Sequence, residues 1–287
     1  MNTSRGRLRR RVEAAFAATA ALLALACMVS HQNDRRTLRT AAQREAAAWP
    51  DNASKIIGLT EWVHHNHGAR ENPRWFVLPR FRATPVQVLH SGGDCADKSR
   101  LLCALLREID IPCTMILCFS RTTRKATHTV VEAQAGPGEF IVADPAYNLS
   151  FPAGGSGRYH DLLELRADPA IVDRRLAELI PQLPPTAPVY CYKPDQAAYD
   201  HASSINWNRN QLTRAAFKTL APWYGSEIHR LHRPLVFEEP KLAVAALILA
   251  GTALLLVTAR AAARCLSAFA ELLTAAAPPK EAAACGP

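Results

Sequence analysis

No internal repeat and no cofactor-binding motif occurs in these 287 residues, and no pair of cysteines has the close spacing of a zinc knuckle. A repeat architecture and a structural zinc are thereby set aside, and neither a cofactor nor a metal is expected to take part in the chemistry. Eight cysteines are present, but their positions do not suit disulfides. Cys95 and Cys103 would stand roughly 12 Å apart along a helix, too far to bridge, and Cys113 and Cys118 fall on opposite faces of a strand. Most are expected to be small core residues, with Cys191 alone in a later region. A concentrated basic face is missing too. The net charge of +9 divides into +4 for residues 1–29, +3 for residues 30–240 and +2 for the rest, so nucleic acid is not an expected partner. The run His64-His65-x-His67 lacks a nearby carboxylate, and adjacent histidines diverge, which favours a solvated helix end over a metal site.

What is present begins with two uncharged stretches. Residues 14–29 follow five arginines (Arg5, Arg7, Arg9, Arg10, Arg11), and residues 242–259 lie between Lys241 and Arg260. The second is near the roughly 20 residues a membrane-crossing helix needs. No small-x-small cleavage site flanks the first, which favours an uncleaved anchor. Long loops cross a membrane regardless of charge, so the short basic tails set the orientation. Both ends then lie inside and the globular part outside. The two-span plan and the Ala- and Arg-rich composition point to a bacterial inner membrane, with a periplasmic domain.

Residues 90–99, HSGGDCADKS, are the chemical centre. Gly92 and Gly93 permit backbone angles closed to other residues, Asp94 is a good N-cap, and an apolar helical pattern follows. Cys95, Ser99, Leu102, Leu106 and Ile109 share a narrow stripe, opposite Asp97, Arg100, Arg107 and Glu108. The thiol therefore sits at a helix N-terminus on the buried face, where the helix dipole favours thiolate. Pro112 stops that helix. Residues 114–119 read as a buried strand, 120–127 as a polar loop, 128–133 as a second strand opened by His128, and 140–143 as a third, closed by Asp144 before Pro145. A nucleophile at a helix start, a histidine at a strand start and an acid at the next strand's end are the set a base-activated thiol needs.

Gly93-Asp94-Cys95 with Asp97-Lys98, the run LLCALLREIDIPC, the strand-opening histidine and FIVADPAYN together resemble the transglutaminase-like superfamily, over roughly residues 50–152. The resemblance implies a papain-like α+β fold in which the nucleophile's helix packs on an antiparallel sheet, here flanked by two transmembrane helices. It also implies Cys95 as nucleophile, His128 as base and acid, and Asp144 as orienter. Papain-like enzymes hold the oxyanion partly with a side-chain amide upstream of the nucleophile, and Gln87 is the amide in place. The Cys95 N–H is the other donor, directed there by the helix start. The activity implied is attack on a peptide or protein amide through a thioester, resolved by an amine or by water. The rival is a non-catalytic papain-like scaffold or binding module in a membrane complex, which has no evident use for all three groups.

The expected organisation is a basic tail (1–11), a membrane helix (12–30), a helical stalk (31–49), the core (50–157), a mostly helical extension without a functional reading (158–240), a second membrane helix (241–260) and a tail (261–287). Within these, 53–65 is an amphipathic helix, 72–84 a proline-broken loop, and 159–166, 171–180 and 205–223 are helical.

Overall fold

The computed structural model describes residues 2–66, 83–155, 157–233 and 238–275. It divides into two compact units, one of residues 29–242, the other of residues 1–28 with 243–287. The second unit comprises the first part of helix α1 (Asn2–Ala46) and most of helix α8 (Pro240–Ala275). Both helices are long and apolar enough to cross a membrane. Ala20, Ala24 and Ala245 are buried there, and Arg260 pairs with Glu13 at 3.2 Å.

In the larger unit the chain order is the end of α1, α2 (Asn52–Asn66), α3 (Pro85–Ser91), α4 (Cys95–Arg107), β1 (Cys113–Phe119), β2 (Ala126–Gly136), β3 (Glu139–Asp144), β4 (Leu149–Ser150), α5 (Leu162–Ala167), α6 (Ala170–Leu179), β5 (Ala198–Ser203) and α7 (Gln211–Tyr224). The strands form one antiparallel sheet in the order β4-β3-β2-β1-β5. The central strands read as nearly unbroken apolar runs because both sheet faces are covered. On one face, Met115, Val131, Ala133 and Ile141 meet the leucines of α4, with α2 behind. On the other, Ile116, Val130 and Val142 meet Leu162, Leu165, Val172 and Tyr199. Each fully buried Val, Leu, Ile or Met among them contributes about 1.5–3 kcal/mol.

The side of α4 opposite Cys95 is covered as well, and its Asp97 and Glu108 are buried. At the C-terminal end of α4, Arg35 and Arg39 of α1 reach the Glu108 carboxylate at 2.5 and 3.0 Å, while Asp97 pairs with Arg100 of its own helix at 2.9 Å. The segment read as a stalk is helical but does not stand free, since Leu38, Ala41, Ala42 and Ala46 are core residues. The boundary at 157 falls inside the compact unit, because β5 extends the sheet beside β1 and α5 and α6 cover its second face. The sequence of β5, AYDHAS, carries polar residues mid-strand and little β-branching, so pairing with β1 rather than propensity makes it a strand. Of the loop expected over 72–84, residues 72–82 lie outside the described residues, as do His67 and residues 276–287 of the tail.

Candidate active site

Helix α4 starts at Cys95 because Asp94 caps it, its carboxylate accepting the Asp97 N–H at 2.9 Å. The two glycines before it serve different ends. Gly92 takes φ 72° to end α3, whereas Gly93 is needed for space: a Cβ there would lie 2.4 Å from Asp97 Cβ. One turn into the helix, the buried Ser99 hydroxyl donates to the Thr129 carbonyl at 2.8 Å. That bond ties the helix that Cys95 begins to the strand position next to His128.

His128 is the third residue of β2, opposite Cys118 of β1, and is buried. Asp144 ends β3 one step beyond the Val131–Ala143 pair, so by the period-two rule its side chain shares the sheet face of His128. The imidazole Nε2 donates to Asp144 Oδ2 at 2.6 Å. The other carboxylate oxygen accepts the Ala146 and Tyr147 N–H groups at 2.9 and 3.2 Å, which locks the acid in place. With Nε2 occupied, Nδ1 is the nitrogen left for Cys95, whose thiol lies within hydrogen-bonding reach. Burial disfavours the charged imidazole. The Asp144 carboxylate and the Cys95 sulfur outweigh it, and His128 is pushed up to about 10. At neutral pH the imidazole therefore carries its second proton.

The structure brings Cys95, His128 and Asp144 together. Gln87 stands in a capping box at the start of α3: its amide oxygen accepts the Thr84 N–H at 2.8 Å while Thr84 Oγ1 accepts the Gln87 backbone N–H, and neither bond uses the side-chain amide nitrogen. Among the described residues the Cys95 N–H has no acceptor, as befits an opening helical turn.

Other neighbours went unread in the sequence. Tyr147 and Tyr192 stand over the imidazole, with ring centroids 5.2 and 6.4 Å away, and pack edge-on against each other at 5.1 Å. The Tyr192 hydroxyl donates to the Ala197 carbonyl at 2.9 Å. Tyr147 lies inside the FIVADPAYN run and could have been found from it, whereas no local pattern marks Tyr192. Lys98 is buried and donates to the His64 carbonyl at 2.9 Å, capping the C-terminal end of α2 with a cation. His64, expected to be solvated, is half-buried, with Nδ1 3.3 Å from the Pro145 carbonyl. Burial and then Lys98 hold its pKa below the ordinary value. A cleft of about 510 Å³ runs beside these groups, lined by Lys98, Ala146 and Tyr147 together with Leu183, Pro184 and Val189. Cys103, Cys113 and Cys118 are buried thiols, as expected of core cysteines, and Cys191 is exposed and free.

A helix-started cysteine on an antiparallel sheet with a buried His–Asp pair defines a papain-like arrangement. Residues 39–145 match the family model of the transglutaminase-like superfamily. The chain is also similar to two solved bacterial structures. One, a "putative cysteine protease" from Cytophaga hutchinsonii, is 20% identical over 40% of this chain and 38% of that one, with a TM-score of 0.34. The other, LapG of Legionella pneumophila, is 18% identical over 51% of this chain and 81% of that one, with a TM-score of 0.31. The chain thus spans well under half the length of the Cytophaga protein. No curated protein matches it. The fold is α+β of the transglutaminase-like kind, with two candidate membrane-spanning helices at its ends.

Proposed function

We propose that this protein is a membrane-anchored cysteine enzyme that acts on amide bonds of a peptide or protein, with Cys95 as nucleophile, His128 as acid and base, and Asp144 as orienter. The observation that carries the reading is the buried His128–Asp144 pair at 2.6 Å, with the Cys95 thiol in reach of the same imidazole. The Cys95 thiolate attacks the carbonyl carbon, and the resulting oxyanion is met by the Cys95 N–H. As the C–N bond breaks, the His128 imidazolium gives its proton to the departing amine, leaving a thioester on Cys95. Water or a second amine then adds to the thioester while neutral His128 takes its proton, and the thiolate leaves. Water yields hydrolysis and an amine yields transamidation. The cleft lined by Leu183, Pro184 and Val189 supports an extended apolar segment as substrate. The two apolar helices and the basic tails support an inner-membrane anchor with a periplasmic active site.

The test is alkylation by iodoacetamide of detergent-solubilised protein, with the modified cysteine located by mass spectrometry. At about pH 6, where a free thiol of pKa near 8.5 is almost unreactive, Cys95 is expected to be modified well ahead of the exposed Cys191 and Cys265. His128→Ala is expected to abolish that preference. A Cys95 that reacts no faster than those two in folded protein sinks the proposal.

A further inference from the structure

On the β5 side of the larger unit lies a second cavity, of about 430 Å³, that shares no lining residue with the cleft beside Tyr147. Four permanent cations line it: Arg124 from the β1–β2 loop, Arg166 from α5, and Arg214 and Lys218, one turn apart on α7. No lining residue is acidic, and none of the four forms an ion pair among the described residues. Two other partly buried arginines of this unit are matched by carboxylates. Arg107 holds Glu238 at 2.5 Å, and Arg230 holds Glu132 at 3.0 Å and Asp161 at 2.6 Å.

Arg166 is the anchored member. One guanidinium nitrogen donates to the Ala202 carbonyl and the other to His229 Nε2, at 3.1 Å. His229 Nε2 must then be an acceptor, so Nδ1 carries the proton and donates to Ser203 Oγ at 3.2 Å. The imidazole is neutral: burial and Arg166 hold its pKa down at about 4. A neutral histidine and a backbone carbonyl orient this guanidinium without cancelling its charge. Burial keeps Arg166 below the ordinary arginine range, and the Asp200 carboxylate that offsets this is itself engaged by Arg121 at 3.2 Å.

The apolar part of the cavity is aromatic. Trp207 and Phe217 line it with ring centroids 5.5 Å apart, and the Trp207 indole N–H is buried without an acceptor among the described residues. A ring-bearing anion would meet both features, since the cations match phosphate oxygens and the rings match a planar base. The volume lies in the range of small-molecule sites, roughly 300–1,000 Å³, and well above what a lone phosphate needs.

We propose that this cavity, between the β1–β2 loop, α5, β5 and α7, is a binding site for a phosphate-bearing planar ligand of the mononucleotide class. The site does not involve Cys95 and stands apart from the proposed amide chemistry. Its test is isothermal titration calorimetry of the full chain in zwitterionic detergent with adenosine 5′-monophosphate, adenosine and inorganic phosphate. The monophosphate is expected to bind at least tenfold more tightly than adenosine or phosphate alone. The double variant Arg214→Ala/Lys218→Ala, at two exposed positions, is expected to weaken it at least tenfold with unchanged thermal unfolding and Cys95 alkylation. Trp207→Ala should remove the advantage over inorganic phosphate. No saturable heat at millimolar monophosphate overturns the proposal, as does equal binding by the double variant. A hexaglutamate peptide that binds more tightly than the monophosphate would reassign the cavity to acidic polypeptide. Vesicles of phosphatidylglycerol that bind through Arg214 and Lys218 without competition from the monophosphate would reassign it to lipid.

Discussion

Replacing Asp144 by Asn separates the charge of the orienting group from its shape. In the native protein His128 is raised from 6.5 to about 10 against the cost of burial. At 1.36 kcal/mol per pH unit, this corresponds to about 5 kcal/mol of preference for imidazolium over imidazole. Because the folded value is the higher one, this stabilisation is fully present below pH 6.5 and is lost as pH rises through about 10. In Asp144→Asn the amide oxygen can still accept the Ala146 and Tyr147 N–H groups, so the turn survives. The amide nitrogen then faces His128 Nε2 as a donor. Nε2 must give up its proton, and the remaining proton moves to Nδ1, the nitrogen that faces the thiol. Burial remains and only the Cys95 sulfur still opposes it, so the ring is expected to titrate well below its native value. Two measurements follow. Alkylation of Cys95 at about pH 6 should fall to the level of His128→Ala. In thermal unfolding, the deficit of the variant should be largest near pH 6, up to about 5 kcal/mol, and should vanish towards pH 10. A variant that keeps rapid Cys95 alkylation, or whose deficit does not shrink between pH 6 and 10, refutes the reasoning.

Other substitutions probe how the site is held. Gly93→Ala places a Cβ 2.4 Å from Asp97 Cβ, and overpacking of this kind costs roughly 1–3 kcal/mol. It is expected to lower the thermal midpoint and to slow Cys95 alkylation together, and an unchanged midpoint would show that the loop yields freely. Glu108→Ala strands two half-exposed guanidinium groups, Arg35 and Arg39, above α4. Discounted for their exposure, the loss is about 1–2 kcal/mol, or a midpoint lower by roughly 2–6 °C. A shift no larger than that of a surface substitution would mean the end of α1 is not secured by this pair.

Cys95, His128 and Asp144 could be picked out because each carries a local signature: an N-cap after glycines, a histidine opening an apolar run (two residues inside β2, which begins at Ala126), and a residue before proline. The helix and the three central strands were legible for a related reason, since apolar periodicity and turn residues are written within a few positions of one another. The capping role of Gln87 was also legible, from Thr84 three residues before it, a spacing that went unread in the sequence. That Glu108 would be buried could not be read from its own helix, because it depends on Arg35 and Arg39, some seventy residues earlier in the chain.

The sequence by itself determined which groups could do the proposed chemistry, where the helix of Cys95 begins and which segments are apolar enough for a membrane, because these depend on side-chain type and on spacing along one element. The tertiary structure alone decided that residues beyond 157 complete the sheet, that Tyr192 stands over the imidazole, and that four cations from three separate segments ring one cavity. Those outcomes depend on long-range pairing, which leaves no periodic mark in the chain: β5 is a strand only because β1 offers it an edge, and Arg166 meets Arg214 only because α7 returns to that edge.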